Sequence, residues 1–219
     1  QRLQLPSVIL FDELIAEIAA ALPRPTETFL LTARRDADAI ADQHRRCGTT
    51  ALQLVDHVPA TELRRLRVQL PGVRLVQVVH VSGEESVEEA RSVAAFVDTL
   101  LLDSGNPRLP VKELGGTGRV HDWSWSRRIR EIAGVPVLLA GGLHPGNARA
   151  AIEAVAPAGL DVCNGLRTGG RLDAGKLAAF IAGIGCYDRD SARNIRRLAM
   201  SGYVCLGTND LPRAAKYYD

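Results

Sequence analysis

Residues 136–152 read PVLLAGGLHPGNARAAI. Val137-Leu138-Leu139-Ala140 is an apolar run too short for a helix, and it suits a strand buried on both faces. The run stops at Gly141-Gly142. A new segment opens at Pro145-Gly146-Asn147, and its apolar residues Ala148, Ala151, Ile152 and Val155 recur at helical spacing. Strand, double glycine and helix start together suit an oxyanion. Glycine lets backbone approach the anion closely, and free N–H groups at a helix start point toward it. A glycine pair alone also serves ordinary strand-to-helix turns, so the weight lies in the repetition of such units along the chain.

Six short, branched, apolar runs occur in order: 28–32 (TFLLT), 51–55 (ALQLV), 74–81 (RLVQVVHV), 99–103 (TLLLD), 137–140 and 160–163 (LDVC). Amphipathic helices are expected between them over 37–46, 60–70, 84–96, 125–133 and 147–156. Thr61 is a candidate cap after Pro59, and Glu84 and Glu85 suit the first turn of their helix. Strand–helix alternation implies a parallel sheet with helical crossovers. An open doubly wound sheet and a closed barrel both satisfy the periodicity. Asp56, His80, Asp103, Gly141-Gly142 and Asn164-Gly165 all follow strands, as functional groups do in a (β/α)8 barrel. The two glycine-bearing ends belong to consecutive strands, where such barrels often hold phosphate.

The 219 residues carry 27 Lys and Arg against 25 Asp and Glu. This near-neutral balance lacks the basic face of a nucleic-acid binder. No apolar run has membrane-spanning length. Cys47, Cys163, Cys186 and Cys205 show neither metal-type nor disulfide-type spacing, so no metal site is expected and a cytoplasmic setting is.

Leu100-Leu101-Leu102-Asp103-Ser104, Gly115-Gly116-Thr117-Gly118, Asp122-Trp123, the LAGGLHPGN stretch, Asp161-Val162 and Asn164-Gly165 occur in this order. The series resembles the phosphoribosylanthranilate isomerase family over roughly residues 6–184. The resemblance implies an α/β fold, a (β/α)8 TIM barrel of the ribulose-phosphate-binding type, with strands three to eight present. It implies an Amadori rearrangement of N-(5′-phosphoribosyl)anthranilate in tryptophan biosynthesis, with a small sugar phosphate as substrate and no cofactor. Asp103 matches the family's general acid. A carboxyl after three leucines has the apolar surroundings that favour a retained proton; its other reading is a turn cap through Ser104 and Asn106. Gly141, Gly142, Asn164 and Gly165 match the phosphate site. Gly116, Thr117 and Gly118 match a substrate loop, or form only a turn; the long connection from Ser104 to Trp123 favours the loop.

Departures from the family accompany these matches. Its general-base cysteine, in a Lys-(Ile/Val)-Cys-Gly motif on strand one, and an arginine after strand two have no counterpart here. Val55-Asp56 replaces His-Gly, Gln77 and His80 stand where Lys and Arg are usual, and Asn164-Gly165-Leu166-Arg167 replaces Ser-Gly-Val-Glu. The expected organisation is a barrel portion over 1–184 and a linker plus fragment over 185–219. In that tail, 204–207 reads as a displaced strand one carrying Cys205, or else 206–219 resembles the first strand and helix of a glyoxalase-type (vicinal oxygen chelate) domain; the second reading accounts for Met200 and the tyrosine pair. Three functions follow: the isomerase, a sugar-phosphate-binding barrel without that turnover, or an inactive truncated fusion. The third expects open barrel edges at 28–32 and 160–163, with 203–206 free to pair with one. His57 and His144 are expected in solvated loops, His121 as packing, Trp123 and Trp125 at a loop–helix junction, and Cys163 as an apolar filler.

Overall fold

A computed structural model describes residues 11–23, 26–105, 120–190 and 203–207. In chain order the elements are α1 (Asp12–Ala21), β1 (Glu27–Thr32), α2 (Ala37–Cys47), β2 (Ala51–Leu54), α3 (Ala60–Gln69), β3 (Arg74–His80), α4 (Glu84–Ala94) and β4 (Thr99–Asp103). Then come α5 (Trp123–Ile132), β5 (Val137–Leu139), α6 (Ala148–Val155), β6 (Gly159–Leu160), a 3₁₀ turn (Asn164–Leu166), β7 (Arg167–Thr168), β8 (Arg171–Leu172), α7 (Ala174–Asp190) and β9 (Tyr203–Gly207). They fall into two units. Of the described residues the first holds 11–23, 26–78, 96–98 and 203–207, the second 79–95, 99–105 and 120–190.

In the first unit β1 pairs in parallel with β2, and β2 with β3. Leu30, Leu52, Leu54 and Leu75 are fully buried, and Ile40, Leu63 and Leu66 cover them from α2 and α3. Asp36 caps α2 by accepting from the Ala39 amide at 3.0 Å. Helix α3 starts behind Pro59, which offers no side-chain cap, so Thr61 does not have the role expected of it. The other flank of β1 pairs in parallel with β9, Phe29 opposite Cys205. Strand 28–32 is thus paired on both sides, by the tail segment that was expected to be free to do so.

In the second unit β4 pairs in parallel with β5, and β5 with β6. Leu100, Leu101 and Leu102 are buried, as a strand covered on both faces requires. Two strands are shorter than expected. β5 ends at Leu139, and β6 keeps only Gly159–Leu160 of its pairing. Asp161–Cys163 leave the ladder to enter the 3₁₀ turn, so Cys163 is exposed and is not an apolar filler. Helix α7 runs to Asp190, past the expected start of the linker, and Phe180 packs with Ala148 and Leu166. No helix among the described residues is long and apolar enough to cross a membrane.

Candidate active site

The carboxyl ends of β4, β5 and β6 surround a pocket of about 280 Å³ in the second unit. Asp103, Gly141, Gly142, Asn164 and Gly165 all line it, together with Ala140, Leu143, His144, Asp161, Val162 and Cys163. Five residues named from the sequence are therefore neighbours around one cavity. Gly116, Thr117 and Gly118 lie outside the described residues.

Asp103 is the last residue of β4 and is 9% exposed. Its carbonyl accepts from the Val81 amide at 2.8 Å, which holds the strand end in place. One carboxylate oxygen, Oδ1, accepts from the Ser104 amide at 2.7 Å. The Ser104 contact of the turn cap thus exists, Asn106 lies outside the described residues, and Asp103 borders the pocket. The Ser104 contact uses only one of the two carboxylate oxygens.

Two glycines are dictated by contact. Gly141 has φ +84°, and a Cβ there would lie 2.9 Å from the Ser104 backbone nitrogen. At Gly165 a Cβ would fall 1.9 Å from the Leu143 carbonyl oxygen. The 3₁₀ turn therefore sits directly on the loop after β5, and only a missing side chain permits it. Asn147 braces that loop: its amide donates to the Gly142 carbonyl at 3.0 Å, and its Oδ1 accepts from the His144 amide at 2.8 Å.

The helix start facing the pocket is not the expected one. The amides of Asn147 and Ala148 both donate to the His144 carbonyl, so the first turn of α6 satisfies itself locally. Asn164 and Gly165, the opening residues of the 3₁₀ turn, line the pocket instead. A short extra helix beside the last strands is a recurrent phosphate-binding device in (β/α)8 barrels.

Among the described residues the lining contains two carboxylates, Asp103 and Asp161, and no Lys or Arg. Asp161 was quoted from the sequence as part of a motif without a role; its position after the shortened β6 brings it to the cavity. His144 is exposed, as expected, yet borders the pocket, and its Nδ1 accepts from the Gly146 amide. Asp122 caps α5 through the Ser124 amide, and hydrogen bonds from Ser124 hold its carboxyl below the usual range. Trp123 and Trp125 stand at that loop–helix junction, and the Arg128 guanidinium lies 5.7 Å from the Trp125 ring centre. No group of side chains among the described residues could hold a metal ion.

The family described as N-(5′phosphoribosyl)anthranilate (PRA) isomerase matches residues 22–183. The chain belongs to this family. Among its relatives, the N-(5′-phosphoribosyl)anthranilate isomerase of Methanocella arvoryzae is 36% identical over 149 residues, 68% of each chain. The Haloferax volcanii isomerase is 36% identical over 167 residues, 76% of this chain and 72% of its own. The solved phosphoribosyl anthranilate isomerase of Thermotoga maritima superposes with a TM-score of 0.67 at 26% identity, over 81% of this chain and 82% of that one. A further fold neighbour, with a TM-score of 0.64 and 24% identity over 81% of this chain and 80% of its own, is an isomerase in complex with reduced 1-(o-carboxyphenylamino)-1-deoxyribulose 5-phosphate. These likenesses put the α/β fold in the (β/α)8-barrel class, with six of its strands in the order the motifs implied.

Proposed function

We propose that the pocket performs the Amadori rearrangement of N-(5′-phosphoribosyl)anthranilate, the isomerisation step of tryptophan biosynthesis. The observation that carries this reading is the convergence of Asp103 and two glycine-bearing strand ends on one cavity, in a chain of this family. The substrate phosphate sits between Gly141-Gly142 and Asn164-Gly165, held by backbone N–H groups rather than by cations.

Asp103 gives a proton to the ribose ring oxygen, the C1′–O bond breaks, and an iminium forms. Loss of the C2′ proton to water gives an enol, and the enol hydroxyl releases its proton as C1′ gains one, which leaves the ketone; Asp103 then regains its proton, so the count is unchanged. C1′ is reduced as C2′ is oxidised, so the electrons balance within the substrate. Asp161, the second carboxylate on the lining, supplies negative charge where the iminium develops positive charge. The free thiols Cys47 and Cys163 fit a reducing cytoplasm.

The test is conversion of phosphoribosylanthranilate followed by loss of its fluorescence, with ribose 5-phosphate binding measured in parallel. Turnover abolished by Asp103→Asn, with binding kept, supports the assignment. Binding without turnover in the parent chain would favour a sugar-phosphate-binding barrel instead. The replacement of His-Gly by Val55-Asp56 after β2 is the feature that keeps that second reading in view.

A further inference from the structure

The two glycine-bearing strand ends meet at His144. A Cβ on Gly165 would lie 1.9 Å from the Leu143 carbonyl oxygen and 3.0 Å from the His144 Cα. His144 thus stands where the loop after β5 touches the 3₁₀ turn, and it lines the pocket with both. Its backbone is fully engaged. The His144 amide donates to Asn147 Oδ1 at 2.8 Å, and its carbonyl accepts from the amides of Asn147 and Ala148, each at 3.1 Å. The imidazole is held as well. Nδ1 accepts from the Gly146 amide at 3.1 Å, and the ring lies so near that a Cβ on Gly146 would be 3.1 Å from Cε1. With Nδ1 an acceptor, the neutral ring carries its proton on Nε2. That Nε2 is the one polar atom of His144 without a partner among the described residues.

We propose that His144 is a binding residue for the substrate phosphate, its Nε2–H the side-chain donor at a site otherwise made of backbone amides. This role rests on the reading of Gly141-Gly142 and Asn164-Gly165 as the phosphate site. A phosphate oxygen is a charged acceptor, and such hydrogen bonds are stronger than those between neutral groups. The described lining carries two carboxylates and no Lys or Arg, so a phosphate has few side chains to favour it there. A ring already fixed through its Gly146 contact also loses little freedom when the ligand arrives. The same tautomer excludes the ring from taking the C2′ proton, because Nε2 holds a proton already and Nδ1 is occupied. His144 therefore binds, and the proton chemistry lies elsewhere.

Two variants separate the donor from the loop contact. His144→Gln carries an amide N–H to the reach of Nε2 and gives up the Gly146 contact. His144→Asn keeps an acceptor for the Gly146 amide, and its own N–H stops short of the Nε2 position. Both are titrated calorimetrically with ribose 5-phosphate and with inorganic phosphate. His144→Asn should bind each probe about tenfold more weakly than the parent, equivalent to about 1.4 kcal/mol, and His144→Gln should stay close to the parent. The reverse order, or the same affinity in both variants, would overturn the proposal and leave His144 only its place in the loop. A loss confined to ribose 5-phosphate would overturn it too, because the donor would then meet the sugar. Long-range ¹H–¹⁵N spectra of the five imidazoles, with His144 assigned by the signals lost in His144→Asn, should show a proton on Nε2 that shifts when inorganic phosphate is added. A parent ring protonated on Nδ1 would overturn the proposal. A parent that binds neither probe would instead remove the phosphate site itself, which is distinguishable from a parent that binds both and is indifferent to His144.

Discussion

The loop after β5 and the loop after β2 follow the same kind of strand, yet they treat their backbone in opposite ways. After β5, Gly141 and Gly142 turn left-handed, Gly165 is pressed against Leu143, and a cavity opens among the strand ends. After β2, the Gln77 side chain fills the corresponding space. Its amide nitrogen donates to the carbonyls of Leu54, Asp56 and Val78 at 2.9–3.1 Å, and its oxygen accepts from the Val58 amide at 3.3 Å. One strand end leaves room for a ligand, and the other is closed by a side chain of the neighbouring strand β3. A pocket lined by backbone depends on its glycines more than on the side chains beside them, so the proposed phosphate site tolerates Asn164 where the resemblance implies a serine. A site made of side chains changes its meaning with each replacement, and Gln77 where a lysine is usual has become structural.

The sharpest way to break this contrast is Gly165→Ala. The added methyl would meet the Leu143 carbonyl at 1.9 Å, so backbone must move. Forced overpacking costs about 1–3 kcal/mol or more, and ribose 5-phosphate binding should vanish in a calorimetric titration. Normal affinity would show that the 3₁₀ turn is not part of the phosphate site. Asp103→Asn comes next. A positioned acid contributes about 10²–10⁴-fold, and the loss should fall on kcat while ribose 5-phosphate affinity stays near that of the parent. Equal losses in kcat and binding would mean that Asp103 shapes the pocket rather than the chemistry.

Gln77→Leu tests the closed end. It keeps volume but removes the side-chain amide that bonds three carbonyls and the Val58 amide, which should cost on the order of 2–3 kcal/mol, read as a lower urea midpoint. Phosphate affinity should not change; if it fell with stability, the two strand ends would not be independent. A smaller effect belongs to Asp98, also in the first unit. Burial alone would raise its pKa, but hydrogen bonds from Arg67 and the Leu75 amide, with the Arg67 charge, hold the carboxyl below its ordinary value. The sign follows from linkage: the stabilisation is full above the unfolded pKa of about 4 and is lost as pH falls through the lower folded value. Asp98→Asn should flatten the acid side of the stability profile between pH 5 and 2, on an axis of about three units set by that reference pKa; an unchanged profile would assign the acid loss elsewhere.

Six strands were legible because leucine and valine runs buried on both faces are short, apolar and bounded by turn residues. The helices between them were legible from caps and spacing. The position of the glycines was legible too, but not the reason for Gly165, since the Leu143 carbonyl is 22 residues away in sequence. β6 also ends at Leu160, which the run LDVC alone does not reveal, and Asp161 and Cys163 beyond it line the pocket. The hairpin of β7 and β8 turns through Gly169-Gly170, a two-residue signal that sequence reading can find. Helix α1 has Asp12 and Glu13 in its first turn, a recognisable start that lies outside any strand–helix alternation. What the local pattern omits is where one segment rests on another.

Ala156 sharpens that lesson from the opposite side. It ends α6 with φ +50°, the same left-handed region as Gly141, yet it is exposed and keeps its methyl. At Gly141 both conformation and contact exclude a side chain; at Ala156 only conformation objects. A non-glycine residue in this region carries a penalty of about 1–2 kcal/mol, part of which glycine forfeits through a more flexible unfolded chain. Ala156→Gly should therefore stabilise the protein by about 0.5–1 kcal/mol, read as a higher urea midpoint with an unchanged slope. Ligand affinity should stay as it was, because the substitution lies at the far end of α6 from the Gly141–His144 loop. A destabilised variant would mean that the methyl makes a contact worth more than the strain, and the division between glycines required by contact and those favoured by conformation would not hold in this chain.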